Sequence, residues 1–380
     1  MKIQKKKIGI FSTARSEISY LLPIMLEISK NKFLDYKLFL GGTHLSSKFG
    51  KTSNELKKRK IKISDYYSFD ASLNDSKKNI INSFSHMTNK LSKIYEKYKF
   101  DYVIVMGDRF EKLAEVCNAI LYNKYLIHLH GGEETTGVID NTIRAMLSKC
   151  SNLHFVTCNK YKYNLIKSGE KKETIHVSGS LSIDVIKKTK ILKRKEIFKK
   201  LKLNHAKKVC ILNFHPTSFK SKKNNLEDLK SIVRSLEKFN TQIVITSPGL
   251  EHGYTSVLKF IEKLAKKKNI FFYKSLGIDF MYNLIFHCSF VIGNSSSGIT
   301  EVPYYKVPSI NLGDRQKGRI LHKSVIQSNF KSNNIEKAVI KACSNKFRKE
   351  IQSQKFYFGN GRAAKFIVKK INQLKSHKLN

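Results

Sequence analysis

Two segments in the first half of the chain carry side chains suited to proton transfer. They are GDRFE (107–111) and HLHGGEETTGVIDNTIR (128–144), and each combines carboxylates with basic groups at the end of an apolar run. Histidine and carboxylate groups are common general acids and bases in enzymes. We therefore predict catalytic roles for a set of four residues: Asp108, His130, Glu133 and Asp140.

Two residues of these segments have a structural alternative that stays open here. Asp140 is equally suited to capping a helix, and His128 to packing within or just after a strand. The histidines and carboxylates lack the H-x-x-x-H and H-E-x-x-H spacings of metal sites, so we predict no metal.

A loop rich in serine and glycine, GNSSSG (293–298), follows an apolar run in the second half. The N–H groups at the start of a helix bind phosphate, and serine adds hydroxyl donors. Glu301 could accept hydrogen bonds from ribose hydroxyls, as acidic residues do in dinucleotide sites. A helix cap in a tight turn is the simpler alternative. The predicted nucleotide-binding residues here are Ser295, Ser296, Ser297, Gly298 and Glu301, with Arg315 and Arg319 of DRQKGR (314–319) as diphosphate ligands.

These residues must be positioned by alternating strands and helices. Apolar runs typical of buried strands alternate with amphipathic helical patterns, which predicts parallel sheets covered on both faces. The predicted strands are KIGIFS, KLFLGG, DYVIVMGD, YLIHLHGG, LHFVT and IHVSG in the first half, and VCILNFHP, QIVITSP, IFFYKS, FVIGNSS and PSINLG in the second. Two doubly wound domains follow from the two blocks.

We predict an N-terminal Rossmann-like domain over 1–183, a nucleotide-binding one over 184–355 and a final helical segment over 356–380. The lysine-rich stretch 184–204 is predicted as a joining helix, and the polar stretch 217–226 as a mobile loop. Ligands of open parallel sheets lie beyond the carboxyl ends of the strands. Further candidates at such positions are Arg15, His44, Arg109 and His215.

Composition limits the classes of function. The 380 residues are 41% hydrophobic, with no apolar run near the ~20 residues needed to span a bilayer and no signal peptide, so we expect a cytoplasmic protein without a membrane partner. Six scattered cysteines lack a C-x-x-C pair, which argues against disulfides and zinc. The net charge of +43 is spread along the whole chain, so we predict no nucleic-acid partner.

The ordered motifs of the chain resemble those of the hydrolysing UDP-N-acetylglucosamine 2-epimerase family, whose members start sialic and legionaminic acid biosynthesis. The similar segments are RSEISYLLPIM, GGTHL, GDRFE, HLHGGEETTGVIDNTIR, HPTS, VIGNSSSGITEVP, NLGDRQKGR and FGNGRAAKFIV. The resemblance implies an α/β fold of two Rossmann-like domains in the glycosyltransferase-B arrangement. It places the active site in the interdomain cleft, with the C-terminal helix crossing back to the first domain.

The resemblance also implies a reaction in two halves. Anti elimination of UDP from C1, with removal of the C2 proton, leaves a glycal. Addition of water then gives the free sugar with inverted C2. A UDP-sugar is thus the expected partner, no cofactor or metal is needed, and a homodimer is possible.

The family pattern assigns roles residue by residue. It gives acid or base roles to Asp108, His130 and Asp140, and it places His215 near the phosphates or leaving oxygen. Substrate contacts are predicted for His44, Arg109 and His128. The nucleotide-binding positions include Arg15, Ser295, Ser296, Glu301 and Arg315.

The chain departs from the better-described sialic acid members at two positions. They carry Glu where this chain has His130, and Asp where it has Asn141. Either His130 or Glu133 takes over proton transfer, and the sugar can be N-acetylglucosamine or a 2,4-diacetamido-2,4,6-trideoxyhexose. Non-hydrolysing 2-epimerases, with an H-x-E-A-G-type segment, and glycosyltransferases of the same architecture are the rival interpretations.

Overall fold

The structure is a computed structural model that describes residues 4–45, 53–67, 76–135, 139–217, 220–248 and 253–374. The chain divides into two compact units. The first comprises Met1–Glu134, Ile139–Lys187 and Tyr357–Asn380, and the second comprises Thr135–Val138 and Lys188–Phe356.

The first unit contains a parallel sheet of seven described strands in the order β3-β2-β1-β4-β5-β6-β7. Its strands are β1 (Lys6–Ser12), β2 (Leu34–Gly41), β3 (Asp65–Tyr67), β4 (Tyr102–Met106), β5 (Tyr125–Leu129), β6 (Leu153–Val156) and β7 (Ile175–Val177). Its helices are α1 (Arg15–Ile28), α2 (Ser53–Lys58), α3 (Lys77–Lys97), α4 (Phe110–Leu121), α5 (Asp140–Lys149), α6 (Asn159–Lys167) and α7 (Leu181–Lys188), with the C-terminal α15 (Ala363–Gln373).

The second unit contains a parallel sheet of six described strands in the order β10-β9-β8-β11-β12-β13. The strands are β8 (Lys208–Asn213), β9 (Thr241–Thr246), β10 (Ile270–Tyr273), β11 (Phe290–Gly293), β12 (Ser309–Leu312) and β13 (Val325–Ser328). The helices are α8 (Arg194–Lys200), α9 (Lys222–Glu237), α10 (Tyr254–Leu264), α11 (Gly277–His287), α12 (Ser297–Thr300), α13 (Ser332–Cys343) and α14 (Asn345–Glu350).

Both sheets are the parallel, doubly wound sheets that the sequence predicts, because their central strands are apolar on both faces. Every residue of β4 is buried, as is every residue of β9. In the first unit Phe11 stacks on Phe39 and Tyr95, with ring centroids 4.9 and 5.6 Å apart. The predicted fold class of two Rossmann-like units is confirmed.

The C-terminal helix α15 belongs to the first unit, where it packs beside α1. Asp184 on α7 caps it: the carboxylate accepts hydrogen bonds from the N–H groups of Ala363 and Ala364, each at 3.0 Å. A carboxylate at a helix N-terminus satisfies orphan donors and favours the helix dipole. Among the described residues no helix is both long and apolar enough to cross a bilayer.

Two predictions of local structure are wrong. The stretch 184–204 is not a single helix, since α7 ends at Lys188 and α8 begins at Arg194. The side chain of Asn283 accepts from Leu192 N–H (2.7 Å) and donates to Lys190 O (3.1 Å), which fixes a non-helical backbone there. The stretch 217–226, predicted as a loop, includes two residues (218–219) outside the described part of the structure, and its last five residues are helical, since α9 begins at Lys222. The Ser221 hydroxyl caps α9 by accepting from Asn224 N–H (3.1 Å).

Candidate active site

Asp108 lies just beyond the carboxyl end of β4, as predicted from its position after an apolar run. Gly107 before it has a φ of +99°, a turn that glycine adopts without strain. The Asp108 side chain keeps 23% of its surface exposed, and its Oδ2 atom accepts a hydrogen bond from Nη2 of Arg144. Asp108 is thus an accessible carboxylate held by a cation.

His130 and Glu133 form a pair in the loop between β5 and α5. His130 Nδ1 lies 3.4 Å from Glu133 Oε1, and the side chains are 11% and 6% exposed. The ring of Tyr20 packs edge-on against the imidazole, with centroids 4.9 Å apart. His130 Nε2 is buried and has no hydrogen-bond partner among the described residues. The structure therefore places side by side His130 and Glu133, the two residues that the sequence offers as alternative proton-transfer groups.

The glycines after His130 explain why the loop has this shape. Gly132 has a φ of +76°, and a Cβ atom there would lie 2.2 Å from the carbonyl oxygen of Tyr161. The Gly132 carbonyl accepts from Asn164 Nδ2 (2.8 Å) on α6. His130 itself has a φ of +63° and donates its N–H to Phe155 O (2.9 Å). These backbone contacts therefore fix the position of the His130 Cα atom, from which the side chain extends.

Arg144 on α5 connects the two loops and is absent from the sequence-based candidates. Its side chain is only 3% exposed. Besides contacting Asp108, its Nη1 atom donates to the backbone carbonyl of Glu133 (2.7 Å) and to Asn141 Oδ1 (3.3 Å). Asp140 is the first residue of the same helix, after Ile139 at the N-cap, and is half-buried.

Of the three residues predicted to contact the substrate, two are fully buried and one is partly exposed. His44 is fully buried, with Nε2 2.9 Å from Ser12 Oγ. His128 is fully buried in β5, with Nδ1 3.2 Å from Ser148 Oγ, and burial lowers its pKa to about 3. This position favours the interpretation of His128 as a neutral histidine packed within the strand. Arg109 is partly exposed and pairs with the buried Glu111 (2.9 Å).

A buried ionic network lies beneath this end of the sheet, and the sequence analysis missed it. Lys112 Nζ donates to Glu115 Oε1 (2.9 Å), to Glu17 Oε2 (3.3 Å) and to Phe11 O (3.2 Å). Glu17 also accepts from Ser12 Oγ (2.7 Å) and from the N–H of Thr13 (2.9 Å). The network thereby fixes the turn between β1 and α1, where Arg15 begins the helix; the Arg15 side chain lies outside the described part of the structure.

Glu17 and Glu115 both contact Lys112, and one ammonium group does not balance the charge of two ionised carboxylates. Burial alone would raise the pKa of Glu17, but Lys112 and the hydrogen bond from Ser12 lower it below its ordinary value. Burial would lower the pKa of Lys112, but Glu115 and Glu17 raise it. For Glu115 burial dominates and raises the pKa to about 8. Lys112 and Ser12 thus favour the ionised form of Glu17, whereas burial favours the protonated form of Glu115.

In the second unit the serine loop lies at the carboxyl end of β11. A Cβ atom on Gly293 would lie 2.0 Å from Asn213 O, so glycine lets the ends of β11 and β8 approach closely. The helix expected after the loop is a single turn, α12, followed by a 3₁₀ turn at Val302–Tyr305. Since so short a helix has little macrodipole, the loop itself can offer a phosphate only its local N–H and hydroxyl groups.

The serine loop is tied to the DRQKGR segment and to His215 through Asn294. The Asn294 carbonyl accepts from Arg315 Nη1 (3.2 Å) and Gln316 Nε2 (2.8 Å). Its side chain bonds to both backbone polar groups of His215. Arg319 Nη1 donates to Gln316 Oε1 (2.9 Å). The structure therefore brings together, in one unit, the ends of β8, β11 and β12.

The remaining predicted nucleotide ligands surround this junction. Ser297 Oγ lies 3.3 Å from Ser295 Oγ and accepts from Asn213 Nδ2 (3.4 Å). The backbone carbonyl of Ser296 starts the turn by accepting from Thr300 Oγ1 (2.9 Å), and Gly298 packs against Ser309. Glu301 ends the turn and is 5% exposed. The described residues include no group of three or more His, Cys, Asp or Glu side chains that could hold a metal ion.

Two Rossmann-like units, one with acid–base groups and the other with a serine-glycine loop and arginines, are typical of enzymes that act on nucleotide sugars. The model of the UDP-N-acetylglucosamine 2-epimerase family matches residues 26–372. The chain therefore belongs to this family of enzymes.

Individual relatives are similar over nearly their whole length. The chain is 32% identical over 349 residues to GDP/UDP-N,N'-diacetylbacillosamine 2-epimerase (hydrolyzing) of Campylobacter jejuni, covering 91% of this chain and 90% of that protein. It is 28% identical to UDP-N-acetylglucosamine 2-epimerase of Neisseria meningitidis, covering 89% and 88%. The crystal structure of UDP-GlcNAc 2-epimerase from Neisseria meningitidis bound to UDP-GlcNAc has the same fold, with a TM-score of 0.81, 19% identity and coverage of 97% and 100%.

Proposed function

We propose that the protein is a hydrolysing UDP-sugar 2-epimerase that releases UDP and the free 2-epimerised sugar. The observation that carries this proposal is the linked set Asp108, Arg144, Glu133 and His130, which places one accessible carboxylate and one histidine–carboxylate pair on neighbouring loops. Elimination followed by water addition needs two such proton-transfer groups. The relative named as hydrolysing supports the proposal.

In the first half of the proposed reaction a base removes the proton from C2 of the sugar. The C1–O bond breaks, its electron pair leaves with UDP, and a C1–C2 double bond forms. We assign the base role to Asp108. The diphosphate is held by the serine loop with Arg315 and Arg319, Glu301 accepts from the ribose, and His215 lies near the leaving oxygen.

In the second half water adds its hydroxyl to C1, and a proton is added to C2 from the opposite face. We assign this proton to the pair of His130 and Glu133. Asp140 lies on the same helix as Arg144 and is the remaining candidate acid. No redox step occurs, since the sugar gains only water and loses only UDP.

The proposed sugars are 2-acetamido sugars, and UDP-N,N'-diacetylbacillosamine is the first to test, followed by UDP-N-acetylglucosamine. The names of the two relatives support these choices. The protein should be incubated with each in deuterated water, and the products identified by NMR. Free UDP with a 2-epimerised sugar carrying deuterium at C2 is expected. An intact UDP-sugar epimer without free UDP would overturn the hydrolysing assignment, and UDP release that occurs only when an acceptor sugar is added would indicate a glycosyltransferase.

A further inference from the structure

We propose that Arg144 is a positioning residue: it keeps the Asp108 carboxylate ionised and fixes its position relative to the loop that carries Glu133. The inference rests on the proposed function and goes beyond it, because it names the group that makes Asp108 a base. Arg144 lies one turn into α5, so its side chain is carried by a regular element that starts at Asp140. A long side chain on a helix is placed more reproducibly than one on a loop.

The guanidinium group of Arg144 is buried and bonds to several partners. It is 3% exposed, and it contacts the Asp108 carboxylate, the Glu133 carbonyl and the Asn141 amide oxygen. Asp108 and Glu133 belong to different loops, after β4 and after β5. One buried cation therefore connects the loop that carries the proposed base with the loop that carries the proposed acid.

This arrangement requires arginine. Two nitrogen atoms of one planar guanidinium group donate in different directions, Nη2 to Asp108 and Nη1 to Glu133 and Asn141. A lysine ammonium is a compact point charge and does not reproduce such a fork. Lysine at position 144 would keep the charge but lose the fixed geometry.

The charge balance around Arg144 favours Asp108 as the ionised partner. Glu133 offers its backbone carbonyl to Arg144, whereas its carboxylate faces His130. Asn141 offers a neutral amide oxygen. Of these three acceptor groups only the Asp108 carboxyl group can carry a negative charge. A carboxylate at position 141 would share the guanidinium charge and weaken its hold on Asp108.

The decisive experiment follows the ionisation of Asp108 without substrate. The full chain is labelled with ¹³C at aspartate carboxyl carbons, and the Asp108 signal is assigned by its loss in Asp108→Asn. We expect the titration midpoint of Asp108 to rise by one pH unit or more in Arg144→Gln, and by a smaller amount in Asn141→Asp. Arg348→Gln is the matched control, since Arg348 donates to the backbone carbonyl of Ser289 in the other unit. An unchanged midpoint in both test variants overturns the proposal.

Steady-state kinetics, measured by the UDP released from the UDP-sugar, then test whether Arg144 positions Asp108. Arg144→Lys and Arg144→Gln should lower kcat at least a hundredfold with KM within about threefold, and the acidic limb of the kcat/KM profile should move to higher pH in Asn141→Asp. Millimolar guanidinium should partly rescue Arg144→Ala but not Asp108→Asn. If the wild type turns over neither UDP-sugar, the proposed function fails, while the substrate-free titration still decides whether Arg144 controls Asp108.

Discussion

The side-chain amide of Asn294 bonds to both backbone polar groups of His215: Oδ1 accepts from the His215 N–H (2.8 Å), and Nδ2 donates to the His215 carbonyl (2.7 Å). The pair joins the segment after β8 to the loop after β11. Since Arg315 and Gln316 bond to the Asn294 carbonyl, one asparagine organises all three segments of the predicted nucleotide site.

Asn294→Ala should therefore weaken UDP binding as well as folding stability. Loss of two buried hydrogen bonds is worth about 1–3 kcal/mol, and we expect roughly a tenfold weaker UDP affinity by calorimetry. Asn283→Ala is the matched control, because Asn283 is equally buried and bonds to the backbone of Leu192 and Lys190 in the same unit. It should lower stability alone. Equal UDP affinity in the two variants would contradict the role of Asn294.

Glu301→Ala should weaken UDP binding through loss of the proposed ribose contact. A hydrogen bond to a charged group contributes about 1.5–3 kcal/mol, so the dissociation constant should rise by roughly 10- to 150-fold. Glu336→Ala, which removes a surface partner of Lys238, serves as the control and should bind UDP normally. If calorimetry gives the wild-type affinity for Glu301→Ala, Glu301 is an ordinary residue of the turn.

Asp108→Asn should abolish turnover while UDP binding persists. Asparagine keeps the shape of the side chain but cannot take a proton, and loss of one proton-transfer group typically costs ~10²–10⁴ in rate. Asp101→Asn is the control at the opposite end of β4, where Asp101 accepts from Lys7 N–H (2.6 Å). A kcat for Asp108→Asn above about a tenth of the wild-type value would rule out the assignment.

The central strands of both sheets could be predicted because apolar runs alternate with amphipathic helices. The edge strands β3 and β13 could not, since they are short and partly exposed and carry no continuous apolar run. The length of α12 also escaped prediction, because a serine-glycine loop marks where a helix starts but not where it ends.

Site residues at strand ends could be predicted in the same way, whereas the residues that support them could not. Arg144 contacts a residue 36 positions away, Lys112 one 95 positions away and Asn294 one 79 positions away. No local pattern distinguishes these residues from the other arginines, lysines and asparagines of so basic a chain. Only the folded sheet brings each to its partner.

Glu115→Gln should remove a loss of stability that the wild type shows at alkaline pH. The folded-state pKa of Glu115 is about 8, above its ordinary value of 4.5, so the folded chain binds this proton more tightly than the unfolded chain. Stability therefore falls as the pH rises between these values, by about 2–3 kcal/mol from pH 6 to pH 9. Glutamine resembles the protonated acid and should flatten the dependence in urea unfolding at both pH values.

The control for Glu115 is Glu96→Gln, which changes a surface carboxylate bonded to Tyr122 in the same unit. This variant should retain the wild-type pH dependence. A Glu115→Gln protein that loses as much stability between pH 6 and pH 9 as the wild type would show that Glu115 is already ionised beside Lys112 at pH 6.

His130→Gln should lower kcat and flatten one limb of the pH–rate profile if His130 transfers a proton. An imidazole side chain can both accept and donate a proton, which suits this role. The backbone at this position is left-handed (φ +63°), so the folding stability of each variant should be measured beside its kinetics. His130→Glu should then recover activity over His130→Gln, because a carboxyl group beside Glu133 has its pKa raised by the like charge. If His130 only shapes the sugar pocket, His130→Gln should mainly raise KM and leave the profile intact, and Glu133→Gln should cause the loss of kcat instead.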